Sequence, residues 1–216
     1  HTKVWEGEKL SKKQANELSG IDSIYFIDDF KDILSSIATK VDTFYINKNE
    51  HYRANSPVET REDRFISWLL KNYPAHNVAK SNPILQRQRS IKHPNEIDQI
   101  KKACDITRKG FNRVLKFIKP DVWEYEIEAE FIHEFINSSS KGFAYSPIIA
   151  SGNDNNVLHY IKNNKQCKSG ELILMDVGAE YGNYSSDMTR TVPVSGKFTK
   201  RQKEIYNAVL RVKNEA

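Results

Sequence analysis

Two aspartates, Asp176 and Asp187, stand 11 positions apart in the stretch ELILMDVGAEYGNYSSDMTRTVP that runs from Glu171 to Pro193. Leu172, Ile173, Leu174 and Met175 form a continuous apolar run, the pattern of a strand buried on both faces, and Asp176 sits where the run ends. A carboxylate at the end of a buried strand needs a partner. The return strand, Tyr184 to Val192, carries Asp187, and Gly182-Asn183 supplies the positive-φ residues that a tight turn around residues 180–183 demands. In an antiparallel pair joined by an even-numbered loop, residues an odd number apart share a face. They lie opposite or one diagonal step away, which puts these carboxylates roughly 5–8 Å apart at Cβ. That separation suits two cations about 3.5–4 Å from one another, and oxygen ligands favour Mn²⁺, Mg²⁺ or Ca²⁺ over thiolate-preferring metals. Spacing alone leaves a second reading open, in which the aspartates cap their own turn backbone and Asp187 pairs with Arg190.

Of the six histidines, His159 stands apart, because it follows a polar Asn-rich loop and lies just ahead of the hairpin. Its alternative is a histidine packed against Tyr160. His1, His51 and His76 lie in the first part of the chain, His93 precedes Pro94, and His133 sits mid-helix among glutamates; these read as surface or core residues. No nucleophile constellation competes. Ser185-Ser186 and the serines at 138–140 have no neighbouring base, Cys167 lies in a Lys- and Asn-rich loop without a histidine, and there is no Gly-rich phosphate loop.

The elements that must position these residues fall into two sets. The first alternates: a strand ending at Val4-Trp5, a helix opened by the capping box Ser11 to Gln14 and closed by Gly20, and a strand at Ile24 to Phe26. A helix from Asp29 to Ala38 and a strand at Thr43 to Ile46 continue the alternation. An aperiodic loop at 47–59 leads to a helix capped by Thr60 and stopped by Pro74, then a strand at Asn77 to Ala79. This is an α/β order. Residues 81–94 change character, and the domain boundary is placed there, giving parts 1–83 and 84–216.

From Pro94 the spacing predicts a long helix with Ile97, Ile100, Cys104, Thr107, Phe111, Val114 and Ile118 on its apolar stripe. A capping box at Asp121 to Glu124 opens a second helix that runs through Ile136. Sheet follows at Ile148 to Ala150, briefly at Leu158 to Tyr160, and in the hairpin. Two helices and then antiparallel strands make an α+β order. Thr199 to Gln202 is a third capping box, opening a helix whose buried face is marked by Ile205, Ala208, Val209 and Val212. That helix lacks a stop signal, and both chain ends read as fragment ends.

The 216 residues carry a net charge of +5, with 38% hydrophobic and 11% aromatic residues, an ordinary globular composition that excludes disorder. No apolar run approaches the roughly 20 residues of a membrane helix, and no signal peptide is evident, so a cytoplasmic protein is expected. Two cysteines, Cys104 and Cys167, are too few for a zinc site or a disulfide framework, and Cys104 is expected in the core. Basic residues alternate with acidic ones. The clusters Lys101-Lys102 and 162–168 interleave no aromatics, so neither nucleic acid nor membrane is an expected partner.

The strings Leu158-His159-Tyr160, Gly170 to Gly178, Tyr184 to Thr191 and Pro193 to Thr199 resemble the catalytic domain of Xaa-Pro aminopeptidases. These are aminopeptidase P enzymes of the pita-bread metallopeptidase fold, shared with prolidase, methionine aminopeptidase and creatinase. Residues 1–83 resemble only the second half of the non-catalytic amino-terminal domain of creatinase-like and aminopeptidase P proteins, entering it in mid-domain at Val4-Trp5-Glu6-Gly7. The resemblance implies that 84–216 form the first half of a pita-bread domain, with Asp176 and Asp187 as metal ligands. It implies that His159 lines the substrate side and hydrogen-bonds the substrate or the tetrahedral intermediate. For the whole protein it implies two divalent ions, expected to be Mn²⁺, a metal-bridged hydroxide that attacks the scissile carbonyl, peptide substrates with proline second, and a homo-oligomer. It places one histidine and two glutamates, the remaining ligands, beyond residue 216, so the present chain is expected to be inactive alone. Prolidase is the alternative within the enzyme class. A non-catalytic pita-bread binding module is the alternative outside it, although such relatives usually break an aspartate pair that is intact here.

Overall fold

The computed structural model describes residues 2–48 and 58–216, with His1, His51 and most of the 47–59 loop outside the described residues. The chain divides into two compact units between Ile91 and Lys92.

The first unit contains α1 (Thr2–Glu6), α2 (Lys12–Ser19), α3 (Phe30–Ala38), β1 (Thr43–Ile46), α4 (Arg61–Asn72), β2 (Asn77–Lys80) and α5 (Asn82–Ser90). β1 and β2 pair in parallel, Phe44 opposite Val78, with α4 in the crossover between them. Phe44, Leu69 and Ala38 form the small core, against which Phe65 and Trp68 pack. The boxes at Ser11 and Thr60 both form. Three expectations change. Val4 and Trp5 lie in α1 rather than at a strand end. The segment Ile24 to Phe26 is not a strand, because the Phe26 N–H donates to Asp29 Oδ2 at 3.3 Å and caps a 3₁₀ turn, withdrawing it from any ladder. The stretch after residue 81 is α5, with a proline in its first turn; it belongs to the first unit, so the division falls after 91 instead of at the expected 83/84.

The second unit contains α6 (Pro94–Phe117), α7 (Glu124–Asn137), β3 (Gly142–Phe143), β4 (Ile148–Ser151), β5 (Leu172–Val177), β6 (Ala179–Tyr181), β7 (Tyr184–Ser185), β8 (Met188–Pro193) and α8 (Lys200–Glu215). The strands form two antiparallel sheets, ordered β3-β6-β7 and β4-β5-β8. Ile106, Phe111 and Val114 of α6 and Ile127, Phe131 and Phe135 of α7 pack with Ile149, Ile173, Met175, Val177 and Ala179 into one core. Each of these large side chains contributes about 1.5–3 kcal/mol by leaving water. β5 alternates half-buried and buried residues, so it is covered fully on one face only, not on both. Cys104 is exposed, because Ala103, Ile106 and Thr107 carry the stripe of α6 around it.

The cap of α7 lies two residues later than expected. Asp121 has φ +74°, Trp123 is the N-cap, and its N–H donates to Glu126 Oε2 at 2.7 Å, while Glu124 turns into the interior. Leu158 and His159 form an exposed turn, not sheet. The Thr199 box opens α8, but that helix buries none of its residues, and Val209 and Val212 are 64% and 68% exposed.

The hairpin keeps one register throughout. Asp176 faces Thr189 and Val177 faces Met188 in β5/β8, while Glu180 faces Ser185 in β6/β7, an unchanged offset. On its other edge β5 pairs with β4, whereas β6 pairs with β3. The hairpin therefore bends from one sheet into the other at residue 178. A side chain there has no room: a Cβ on Gly178 would stand 1.8 Å from the Ser186 carbonyl oxygen. The tip closes on Gly182 and Asn183, at φ +58° and +66°, as a two-residue turn of the primed kind requires. Substituting Gly178→Ala is expected to lower stability by about 3 kcal/mol, since the obstacle is backbone and cannot rotate away; urea unfolding of the chain measures this.

Candidate metal centre

The bend is pinned to α6 by buried polar groups. Thr107 Oγ1 lies 2.6 Å from Ser186 Oγ, and the Ala179 N–H donates to both hydroxyls, at 2.9 and 3.0 Å. Thr107 and Ser186 are buried, so each hydroxyl satisfies a group that would otherwise be orphaned where the ladder turns. On the other side, the Ala144 N–H donates to the Gly178 carbonyl at 2.8 Å. This holds the link between β3 and β4 across the bend and places Tyr145 between the two aspartates.

The Tyr145 hydroxyl lies 2.7 Å from Asp176 Oδ1 and 2.9 Å from Asp187 Oδ1, its one proton shared by two acceptors. The two Oδ1 atoms can be no farther apart than the sum of those distances. Asp176 is half-buried and Asp187 exposed. Burial pushes the Tyr145 phenol well above its ordinary range, and the two carboxylates add to the shift, so the hydroxyl remains a donor. Arg190 donates to the Thr189 carbonyl at 2.8 Å, and among the described residues it forms no ion pair with Asp187. The aspartates are thus not turn residues neutralised by an arginine. Two carboxylates aimed at one protonated hydroxyl, with lone pairs to spare, fit a hard divalent cation held by oxygen. Asp176 and Asp187 would be its ligands here. No group of three or more His, Cys, Asp or Glu side chains with ligand geometry occurs among the described residues.

The pairing also sets which way the site faces. Ile148, Asp176 and Thr189 are opposed across β4, β5 and β8 and so share a face, while Ile149 and Met175 point to the helical core. Tyr160 packs on Ile148, Ala150 and Leu174, which is the face of Asp176. His159, next to Tyr160 in the chain, is exposed, with no hydrogen bond to Asp176, Asp187 or Tyr145 among the described residues. Further along the same strands, an apolar groove of about 620 Å³ runs between α8 and the sheet, lined by Leu172, Thr189, Thr191, Tyr206 and Val209. His133 is exposed on α7, and Glu204 pairs with Arg201 on α8. Tyr145 is the residue that sequence reasoning missed. Its only signal is a tyrosine ahead of Ser146-Pro147 between two short strands, and its function depends on a crossing that spacing does not disclose.

The profile of metallopeptidase family M24 matches residues 98–216, more than half the chain, and that of the aminopeptidase P N-terminal domain matches residues 1–45. The chain is similar to the Xaa-Pro aminopeptidase of Haemophilus influenzae, 32% identical over 213 residues that cover 99% of this chain and 47% of that protein. Its structure is similar to a variant of Escherichia coli aminopeptidase P in complex with substrate, with a TM-score of 0.86 and 30% identity over 97% of this chain and 48% of that one. A zinc-substituted form of the Escherichia coli enzyme in complex with product gives a TM-score of 0.85 at the same identity and coverage. The chain thus spans about half the length of the relatives it matches. Its hairpin aspartates lie within the matched segment, and the chain belongs to metallopeptidase family M24.

Proposed function

We propose that the protein to which this chain belongs is a metal-dependent aminopeptidase that removes the amino-terminal residue from peptides with proline in second position. The observation that carries this reading is the convergence of Asp176 and Asp187 on the Tyr145 hydroxyl in a chain of family M24. The names of its relatives support the substrate class. Two divalent ions, proposed to be Mn²⁺, would supply an activated water and a Lewis acid for the scissile carbonyl when bound. Asp176 and Asp187 hold the metal-facing edge of the site, and Tyr145 fixes the orientation of both carboxylates. His159, exposed beside Tyr160, is proposed to donate a hydrogen bond to the substrate or to the tetrahedral intermediate. One histidine and two glutamates from the remainder of the protein would complete the ligand set; the half-length coverage of the relatives supports this division. A cytoplasmic homo-oligomer is proposed, in keeping with the free thiols of Cys104 and Cys167. Both aspartates are present, which favours catalysis over a binding module that has lost its ligands.

For the full-length protein, exhaustive chelation is expected to abolish release of the residue before proline, and Mn²⁺ to restore it. Asp176→Asn or Asp187→Asn should lower kcat/KM by more than the roughly 10–100-fold typical of outer-shell partners. Activity that survives chelation, or equal cleavage of peptides with alanine second, would count against the reading. The chain of 216 residues tested alone should bind Mn²⁺ weakly, because two carboxylates make a shallow site. With a Kd near the free concentration, linkage gives about 0.4 kcal/mol and a melting-temperature rise below about 2 °C. A rise of 10 °C or more would show that this chain holds a full ligand set.

A further inference from the structure

Glu124 is a fully buried carboxylate that takes no part in the site described above. Its Oε1 accepts the Ser151 N–H at 2.8 Å and the Ser151 hydroxyl at 2.7 Å. Its Oε2 accepts the Tyr160 hydroxyl at 2.8 Å and the Lys165 N–H at 3.0 Å. Two backbone N–H groups and two hydroxyls, one of each on either oxygen, match an acceptor-only carboxylate. The backbone joins in, since the Glu124 N–H donates to the Lys165 carbonyl at 2.9 Å.

These partners are not scattered. Ser151 ends β4, Lys165 closes the excursion that follows it, and Tyr160 lies within that excursion, next to His159. One side chain therefore fixes the start, the interior and the end of the segment that carries His159. Burying a carboxylate is costly unless its hydrogen bonds are complete, and a loop needing only attachment could be tied by neutral groups. Asn163 does much of this: its Oδ1 accepts the Ile149 N–H at 3.0 Å and its Nδ2 donates to the Pro147 carbonyl at 3.0 Å, beside a bond to Glu128 Oε2 at 2.8 Å. What Glu124 adds is a grip on Tyr160, whose ring packs over the sheet face of Asp176.

We propose that Glu124 is a positioning residue for His159, holding Tyr160 and both ends of segment 151–165 so that the imidazole is presented to substrate on the Asp176 face. This rests on the proposed role of His159, and the test separates the two. Substituting Glu124→Gln preserves volume, yet an amide has one acceptor oxygen. With that oxygen toward Ser151, the amide nitrogen opposes the Lys165 N–H, and the far end of the segment is released.

The experiment is steady-state kinetics of the full-length, metal-loaded protein on a peptide with proline second, for E124Q, Y160F, H159A and the double variants with H159A. E124Q is expected to lower kcat about 10-fold with KM little changed, the pattern of a lost transition-state contact. H159A should lower kcat at least as far, and E124Q/H159A no further than H159A alone, because two changes acting through one group do not multiply. Y160F removes one donor of four. It should stay folded with a melting temperature lowered by only a few degrees, lower kcat by a smaller factor, and likewise add nothing to H159A. If E124Q fails to fold, Y160F carries the test. Losses that multiply with that of H159A, or an unchanged kcat in E124Q and Y160F beside an impaired H159A, would overturn the positioning role alone. A fully active H159A would overturn the role of His159 and the positioning role with it.

Discussion

The backbone of Gly178 passes so close to the Ser186 carbonyl that no β-carbon fits between them, and the convergence of Asp176 and Asp187 depends on that approach. Because the strands meet there without a side chain, the hairpin can change sheets without losing register. A slip of one residue would turn every side chain to the opposite face. Asp176 would then point into the apolar layer of Ile149, Met175 and Phe131, where a carboxylate without partners is strongly disfavoured.

A bend also interrupts the ladder, and the interrupted groups are what attach the hairpin to its surroundings. The Ala179 N–H finds Thr107 on α6, and the Gly178 carbonyl accepts from Ala144. The first contact ties the bend to the helical layer. The second brings the link between β3 and β4 across it, and Tyr145 comes with that link. α6 and α7 cover one face of the sheets with large apolar residues and leave the other face to Asp176, Thr189 and Tyr160. Stability and chemistry are therefore assigned to opposite faces, so the alternation of β5 serves both.

What the sequence disclosed was local. The capping boxes at Ser11, Thr60 and Thr199, the Gly-Asn turn, the span of α6 and the aspartate pair each rest on residues a few positions apart, or on the strict period of a hairpin. What it concealed depends on contacts between distant segments. Tyr145 reaches Asp176 and Asp187 from 31 and 42 positions away, and nothing near it in the chain announces the crossing. Glu124 has the spacing of a cap to Asp121, but Ser151, Tyr160 and Lys165 supply it with better partners, and the cap moves to Trp123 and Glu126. The segment Ile24 to Phe26 has strand composition, yet a neighbouring aspartate captures its N–H before any strand can. Composition could not arbitrate these cases, because each was decided by which hydrogen-bond partner was nearer in space.

The carboxylates of the second unit differ in how fully they are satisfied, and that difference separates candidate ligands from an anchor. A carboxylate offers about four acceptor sites. Glu124 uses them all on donors of the protein and has none left, so it can hold the chain but cannot bind anything further. Asp176 and Asp187 share one side-chain donor among the described residues, the Tyr145 hydroxyl, which brings their Oδ1 atoms together and leaves other lone pairs on both carboxylates. Saturating that pair with further donors would stabilise the bend and at the same time remove the electrostatic reason for a cation to bind. The aspartate pair thus keeps acceptor sites that no side-chain donor among the described residues uses, whereas Glu124 and the hydroxyls of Thr107 and Ser186 beside the bend are engaged within the protein.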